Sequence, residues 1–324
     1  METIKKQSEK FTQSITFKAI IVSVLTLLLL IPSAMIQNLI QERQYRSYET
    51  ISKINQKWSN SQTICGPILT IPYEEQLDEY ETTEVNKDKI VQKKTVIRKH
   101  TLNINPENLT IKTILQPEER YYGIYKAILY KSENILSGNF SKVDFTSVNP
   151  HRILWDKAYL TLGISDLRGI TNNVNITLNG KNYTAELGGG ESTLGKELIV
   201  NLNDENIAQA DKIQFECKLN LNGSEQINYI PLGKNTSVQV KGEWRAPGFI
   251  GNFSPEYILD ENGFDAKWNI LHFNRNIPDT WSDDNIKNLE QTSFGVNLVD
   301  TVDHYQQNMR SAKYALMFIA LTFV

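Results

Sequence analysis

Residues 19–36 read AIIVSVLTLLLLIPSAMI and carry no charge. As a helix, about 18 apolar residues cross most of a ~30 Å hydrocarbon layer, and Leu39 and Ile40 extend the run. The segment is apolar all round, so it needs lipid or a very large protein core as its solvent. A cleaved signal peptide is the competing reading. Against it, the run is longer than a usual apolar core of such peptides, and Ser33-Ala34-Met35 is a poor cleavage site. The stretch after the run is also not a loop: Ile40, Tyr48, Ile51, Ile54 and Trp58 fall near one face of a continuing helix. The expectation is an uncleaved anchor with a helical stalk.

Lys5, Lys6, Lys10 and Lys18 precede the anchor, which favours a cytoplasmic N-terminus. Arg43, Arg46, Lys53 and Lys57 come after it and blunt that signal, but long domains translocate largely regardless of such charges. At the other end, Arg310 and Lys313 lead into YALMFIALTFV, too short to cross a bilayer. An exposed apolar terminus is unusual in a soluble domain, so this segment reads as the start of a second membrane helix in a truncated chain. The expected layout is a short cytoplasmic tail at 1–18, a transmembrane helix at 19–40, a helical stalk at 41–63, a β-rich extracytoplasmic domain at 64–303, and a juxtamembrane segment with the start of a second span at 304–324.

Between the ends the dominant period is two. Ile213, Phe215, Cys217, Leu219 and Leu221 alternate with polar neighbours, the pattern of a strand with one face on a core. Val174, Ile176 and Leu178 alternate up to Asn179-Gly180, after which Tyr183, Ala185 and Leu187 resume, which predicts a tight hairpin. A second hairpin is predicted at Asn222-Gly223 on the same grounds. Further strands are expected at 95–104, 109–115, 123–130, 158–165, 197–202, 237–244 and 264–270. The acidic stretch 74–88 reads as a long loop. Together these predict a mainly β fold, an antiparallel sandwich-like domain.

Chemistry is sparse. Lys+Arg 34 against Asp+Glu 37 leaves no basic field, so nucleic acid is not expected as a partner. Cys65 and Cys217 are too few for a disulfide framework or zinc cluster; Cys217 reads as a small buried hydrophobe, and a bridge between the two stays open. His100, His151, His272 and His304 form no H-E-x-x-H pattern. Asp300, Asp303 and His304 read as a solvated face rather than a metal site. No G-x-S-x-G elbow or S-x-x-K pair occurs. Ser165-Asp166 ends a strand, where such residues serve turns, and Gly188-Gly189-Gly190 lacks the Lys-Ser/Thr of a phosphate cradle. No catalytic residue, cofactor or metal is expected. The aromatic set Trp244, Phe249, Phe253, Phe264 and Trp268 has two readings: rings that plug one end of the sandwich, or, at Trp244, Phe249, Phe253 and Trp268, a recognition patch for an envelope protein or polymer.

Several segments occur in an order that resembles a known family. They are Glu42-Arg43 with Tyr45-Arg46-Ser47 after the anchor, Gly66-Pro67-Ile68-Leu69-Thr70-Ile71-Pro72, Gly163-Ile164-Ser165-Asp166-Leu167-Arg168-Gly169, and Leu219-Asn220-Leu221-Asn222-Gly223-Ser224. Trp244-Arg245-Ala246-Pro247 comes next, with Phe249-Ile250-Gly251-Asn252-Phe253, Gly263-Phe264 and Trp268, and then Asp303, Tyr305, Arg310 and Lys313-Tyr314-Ala315. In these the chain resembles the CreD family of bacterial inner-membrane, cell envelope integrity proteins. The resemblance implies a large periplasmic domain, a C-terminal block of several membrane helices and a role in envelope integrity or stress response. It carries over no catalytic residue, and Cys65 and Cys217 are not expected as family features. The leading functional expectation is a multi-span inner-membrane protein that touches the lipid bilayer and binds an envelope partner. The alternatives are a sensor ectodomain and, third, an envelope hydrolase, which would require a polar pocket with converging carboxylates or a perturbed histidine.

Overall fold

The structure, a computed structural model, describes residues 15–85, 88–146, 148–189, 197–202, 207–208, 210–283, 289–298 and 304–323. It separates into a helical unit, residues 1–53 with 300–324, and a β unit, residues 54–299. Helix α1 (Ile15–Trp58) is continuous from the apolar run through the polar stretch beyond it. By length and composition it is able to cross a membrane, and its apolar window is not buried against protein. Beyond the apolar run, Glu42 pairs with Arg46 and Glu49 with Lys53, each at 2.7 Å and one turn apart, a spacing that supports an exposed helix. A second helix, α2 (His304–Phe323), closes the described chain.

Among the described residues the β unit has eighteen strands in two sheets. In chain order they are β1 (Gln62–Val85), β2 (Asp88–Ile104), β3 (Asn108–Tyr122), β4 (Tyr125–Ser141), β5 (Arg152–Ile153), β6 (Tyr159–Ile164), β7 (Asn175–Leu178), β8 (Lys181–Thr184) and β9 (Glu186–Leu187). After these come β10 (Glu197–Asn201), β11 (Lys212–Ser224), β12 (Gln226–Tyr229), β13 (Asn235–Gly242), β14 (Pro247–Gly251), β15 (Glu256–Leu259), β16 (Phe264–Leu271), β17 (Thr280–Ser282) and β18 (Phe294–Leu298). The first sheet runs β14-β18-β12-β1-β6-β10-β9, with β2 and β5 also pairing with β1 and β17 pairing with β2; the second runs β15-β16-β13-β3-β4-β11-β7-β8. Most pairs are antiparallel as expected, but β1–β12 and β3–β13 are parallel. Both parallel pairs join strands far apart in sequence, since such pairing needs a long crossover.

One apolar core lies between the sheets and draws on both. The Tyr229 hydroxyl on β12 donates to Thr113 Oγ1 on β3 at 2.7 Å, and the Tyr130 hydroxyl on β4 donates to the Gln226 carbonyl at 2.7 Å. Both tyrosines are fully buried, so each phenol needs such a partner. Cys65 and Cys217 are free and buried. Burial pushes the Cys217 thiol up to about 12 and raises that of Cys65, with the charge of Glu197 adding to the effect.

The β7–β8 hairpin turns at Asn179 and Gly180, with φ of 45° and 85°, the positive values a tight two-residue turn demands. The other predicted hairpin is absent. β11 continues through Asn222 and Gly223, the chain turns at Glu225 with φ 60°, and β12 joins the opposite sheet. Gly223 is there for space: a Cβ would lie 2.3 Å from the buried Tyr130 ring. Gly223→Ala is therefore expected to cost about 1–3 kcal/mol as overpacking, read as a lowered urea midpoint.

The stretch 74–88 also departs from expectation. Glu74 to Val85 continue β1 and pair with β2 from Lys99 back to Asp88. The acidic side of this arm meets a basic one: Lys93 reaches Asp78 at 2.8 Å and Arg98 contacts Glu79. Cross-strand pairs of opposite charge hold an arm that hydrophobicity alone would not mark as a strand.

Candidate functional site

Two places in the β unit concentrate the residues that the sequence singles out. The first is the end of the sandwich where strands β14 and β15 form the edges of their sheets. Phe249 on β14 meets Tyr257 on β15 at 4.8 Å between ring centres, and stands edge-on to Trp268 at 5.8 Å. Trp268 in turn contacts Phe294 of the opposite sheet at 5.5 Å, and Phe253 meets Phe294 edge-on at 5.6 Å. Trp268 is 1% exposed and its Nε1 donates to the Phe253 carbonyl at 3.1 Å. It supports the others from beneath, whereas Trp244, Phe249 and Phe253 are half-buried against the core. Outside them lie Tyr257, Ile258 and Leu259, exposed by 54%, 71% and 48%. These three sit on an edge strand, where alternation is too short to announce a surface in the sequence.

The second place is the junction where the last turn of α1 enters the domain. Gln62, fully buried, donates through Nε2 to Ser59 Oγ, the Asp166 carbonyl and the Asn222 carbonyl at 2.8, 2.9 and 3.0 Å. Its Oε1 accepts from Asp166 N at 3.3 Å. The Asp166 carboxylate accepts from Asn60 N at 3.1 Å, from Arg168 Nε at 2.9 Å and from Arg168 Nη2 at 2.6 Å. Arg168 Nη1 donates to the Gln56 carbonyl at 2.8 Å, satisfying a carbonyl that the helix end leaves without an internal partner. The Arg168 guanidinium holds the Asp166 carboxyl well below the usual carboxylate range, against the opposing effect of burial. Gly169 lies within this knot: a Cβ there would stand 2.3 Å from both the Asn222 carbonyl and Gln62 Nε2.

Ser165-Asp166 thus serves a turn, as expected, with Asp166 capping the one-turn helix Leu167–Gly169. Sequence reasoning missed Gln62 and Arg168 as its partners. The only signal was the run Gly163 to Gly169, which the family resemblance marks without giving it a role. Glu225 completes the junction: its carboxylate accepts from Asn55 Nδ2 at 2.8 Å, its amide donates to the Ile128 carbonyl at 3.0 Å, and its carbonyl accepts from Leu298 N at 2.7 Å.

Titratable groups elsewhere form clips. His100 Nδ1 lies 2.8 Å from Asp283 Oδ2, and Nε2 lies 3.5 Å from Glu75 Oε2. Asp283 also accepts from Thr101 N at 2.8 Å. Burial tends to raise the Asp283 carboxyl, but the His100 and Thr101 hydrogen bonds outweigh it and the net shift is downward. This arrangement ties residues 280–283 to β2. An open depression of about 330 Å³ on the other sheet is lined by Ser137, Asn139, Thr177, Asn179, Gln214 and Glu216. Among the described residues no group of three or more His, Cys, Asp or Glu side chains is placed to hold a metal. Asp300, Asp303 and Gly190 lie outside the described residues.

Residues 14–324 match the family model described as "Inner membrane protein CreD". The chain belongs to the CreD family. The Inner membrane protein CreD of Escherichia coli (strain K12) is 31% identical over 301 residues, which is 92% of this chain and 65% of that protein. Among solved structures, an M1 zinc metallopeptidase from Deinococcus radiodurans overlaps 51% of this chain and 38% of its own, at 6% identity and a TM-score of 0.25. Native yeast LTA4 hydrolase overlaps 61% and 30%, at 7% identity and a TM-score of 0.24. Likenesses this slight carry no argument. The CreD relationship, with one helix among the described residues apolar and long enough to span and a β-rich domain following it in the chain, makes this a membrane protein.

Proposed function

We propose that this CreD family member is a non-catalytic, multi-span protein of the bacterial inner membrane whose β domain stands on the periplasmic side and supports envelope integrity by binding an envelope protein or polymer. The observation that carries the reading is the paired sheet edge, where Phe249 and Tyr257 touch across β14 and β15 and Tyr257, Ile258 and Leu259 face outward. An exposed apolar edge invites pairing and is normally blunted; one backed by buried rings has the build of a binding hot spot, rigid beneath and apolar outside. Trp244, Phe249, Phe253 and Trp268 then act as its foundation and inner rim. Orientation is supported by the four lysines ahead of the anchor. In this reading α2 begins the second span, so the domain is confined to a thin layer, which raises its effective concentration for neighbours there.

The test is a detergent challenge of cells lacking their own family member and carrying the full-length protein. A Tyr257→Ser, Ile258→Ser, Leu259→Ser variant is expected to lose most of the protection while its domain keeps the parent's protease resistance. Full protection by that variant would overturn the binding edge.

A sensor role is the second reading, and the junction favours it: the last helical turn is fixed to the domain through Arg168 at the Gln56 carbonyl, Glu225 at Asn55 and the Tyr130 carbonyl at Trp58. Any rearrangement of the domain would be felt at that turn rather than lost in a flexible linker.

A further inference from the structure

The β3–β4 hairpin outruns the sheet that carries it. β13 stops pairing with β3 at Leu115, and β11 stops pairing with β4 at Leu129. The hairpin continues to Tyr122 and Tyr125, closed by Gly123 and Ile124. Gly123 has φ 61°, as the first central position of a type II′ turn requires. Turn chemistry does not ask for the rest. Tyr121, Tyr122 and Ile124 are 65%, 69% and 76% exposed, at a kind of site that Gly, Asn, Asp and Ser usually fill.

The tip belongs to the end of the domain from which the chain leaves for both helices. Glu225 marks that end, joined to Asn55 of α1, to Leu298 at the close of β18 and to Ile128 of the hairpin. Trp58, the last residue of α1, lies beneath the guanidinium of Arg120 at 4.1 Å, and its Nε1 donates to the Tyr130 carbonyl at 3.4 Å. β1 starts at this same end and runs away from it, so the charged β1–β2 arm projects in the other direction. The β1–β2 arm is charged to its far end, whereas the β3–β4 arm confines its charges to Glu118, Glu119, Arg120 and Lys126, with the Tyr121 hydroxyl donating to Glu119, and closes on Tyr122, Gly123, Ile124 and Tyr125.

Tyrosine is favoured in the headgroup layer of a membrane because its ring is apolar and its hydroxyl bonds to water and headgroups.

We propose that the β3–β4 tip, through Tyr121, Tyr122 and Ile124, seats in the headgroup layer of the bilayer that holds α1 and gives the domain a second point of contact with the membrane. This rests on the lipid assignment of the anchor, not on the binding edge at β15. The test uses the full chain in nanodiscs of phosphatidylethanolamine and phosphatidylglycerol, with an environment-sensitive fluorophore on Ile124→Cys or, at the opposite end of the domain, on the exposed Phe273→Cys. The emission at position 124 is expected to shift to the blue and to be quenched by lipids spin-labelled just below the headgroup, while position 273 responds only to aqueous iodide. Iodide quenching without lipid quenching at 124 overturns the proposal. So does shielding from both quenchers, which would mean the tip is held by protein. Equal lipid quenching at both positions also overturns it, since the whole domain would then lie on the surface. If neither label meets lipid but the anchor does, the tip proposal fails and the membrane assignment stands.

Discussion

Trp268→Ala is expected to cost the β domain about 3–5 kcal/mol, the range for removing a large buried aromatic. The residue is 1% exposed and touches Phe249 and Phe294, both on neighbouring strands of the opposite sheet. Its loss opens a cavity between two sheets that cannot easily close, because β14 and β15 are edges with no further strand to draw inward. Tyr257→Ala, one ring further out and half exposed, should shift stability by under about 1 kcal/mol. Urea unfolding of the full chain in detergent, followed by tryptophan emission, separates the two. A Trp268→Ala protein with the parent's midpoint would mean that the aromatic end is decoration and not foundation.

Asp166→Asn carries the second large effect, and its sign depends on pH. The folded carboxyl is held below the usual range by Arg168, so ionised Asp166 stabilises the fold. That contribution is complete above the unfolded-state value of about 3.9 and is lost as pH falls through it towards the lower folded value. At neutral pH the asparagine variant is expected to lose about 1–3 kcal/mol, as bonds from Arg168 and the Asn60 amide weaken. Half of the pair is solvent-exposed at Arg168, which keeps the figure below that of a fully buried ion pair. The parent should begin to weaken below about pH 5 and go on weakening as pH falls towards the lower folded value, and the variant should show a flatter profile there. Equal slopes would show that the junction does not depend on the charge.

How much of the fold was legible in the sequence depended on whether the signal was local. The β7–β8 hairpin needs only alternation and Asn179-Gly180, and both are written in consecutive residues. Asn222-Gly223 carries the same letters, yet Gly223 makes room for Tyr130, a partner on another strand. The arm after Tyr73 looked like a loop because its acidic residues gain meaning only beside Lys93 and Arg98. Gln62 meets Asp166 across 104 residues, and nothing in either neighbourhood announces the other. The aromatic cluster was visible as composition, but its division into a buried support at Trp268 and an exposed edge at Tyr257 and Ile258 required the sheet order.

That lipid surrounds residues 19–36, with the β domain across it from the cytoplasm, is tested most directly by cysteine accessibility in spheroplasts. The background is low, because Cys65 and Cys217 are buried and their thiols are suppressed. A Lys157→Cys protein, with the new thiol on an exposed turn, should be labelled by a membrane-impermeant maleimide before lysis as fully as after it. Labelling that appears only once the membrane is broken would place the domain inside and contradict the account.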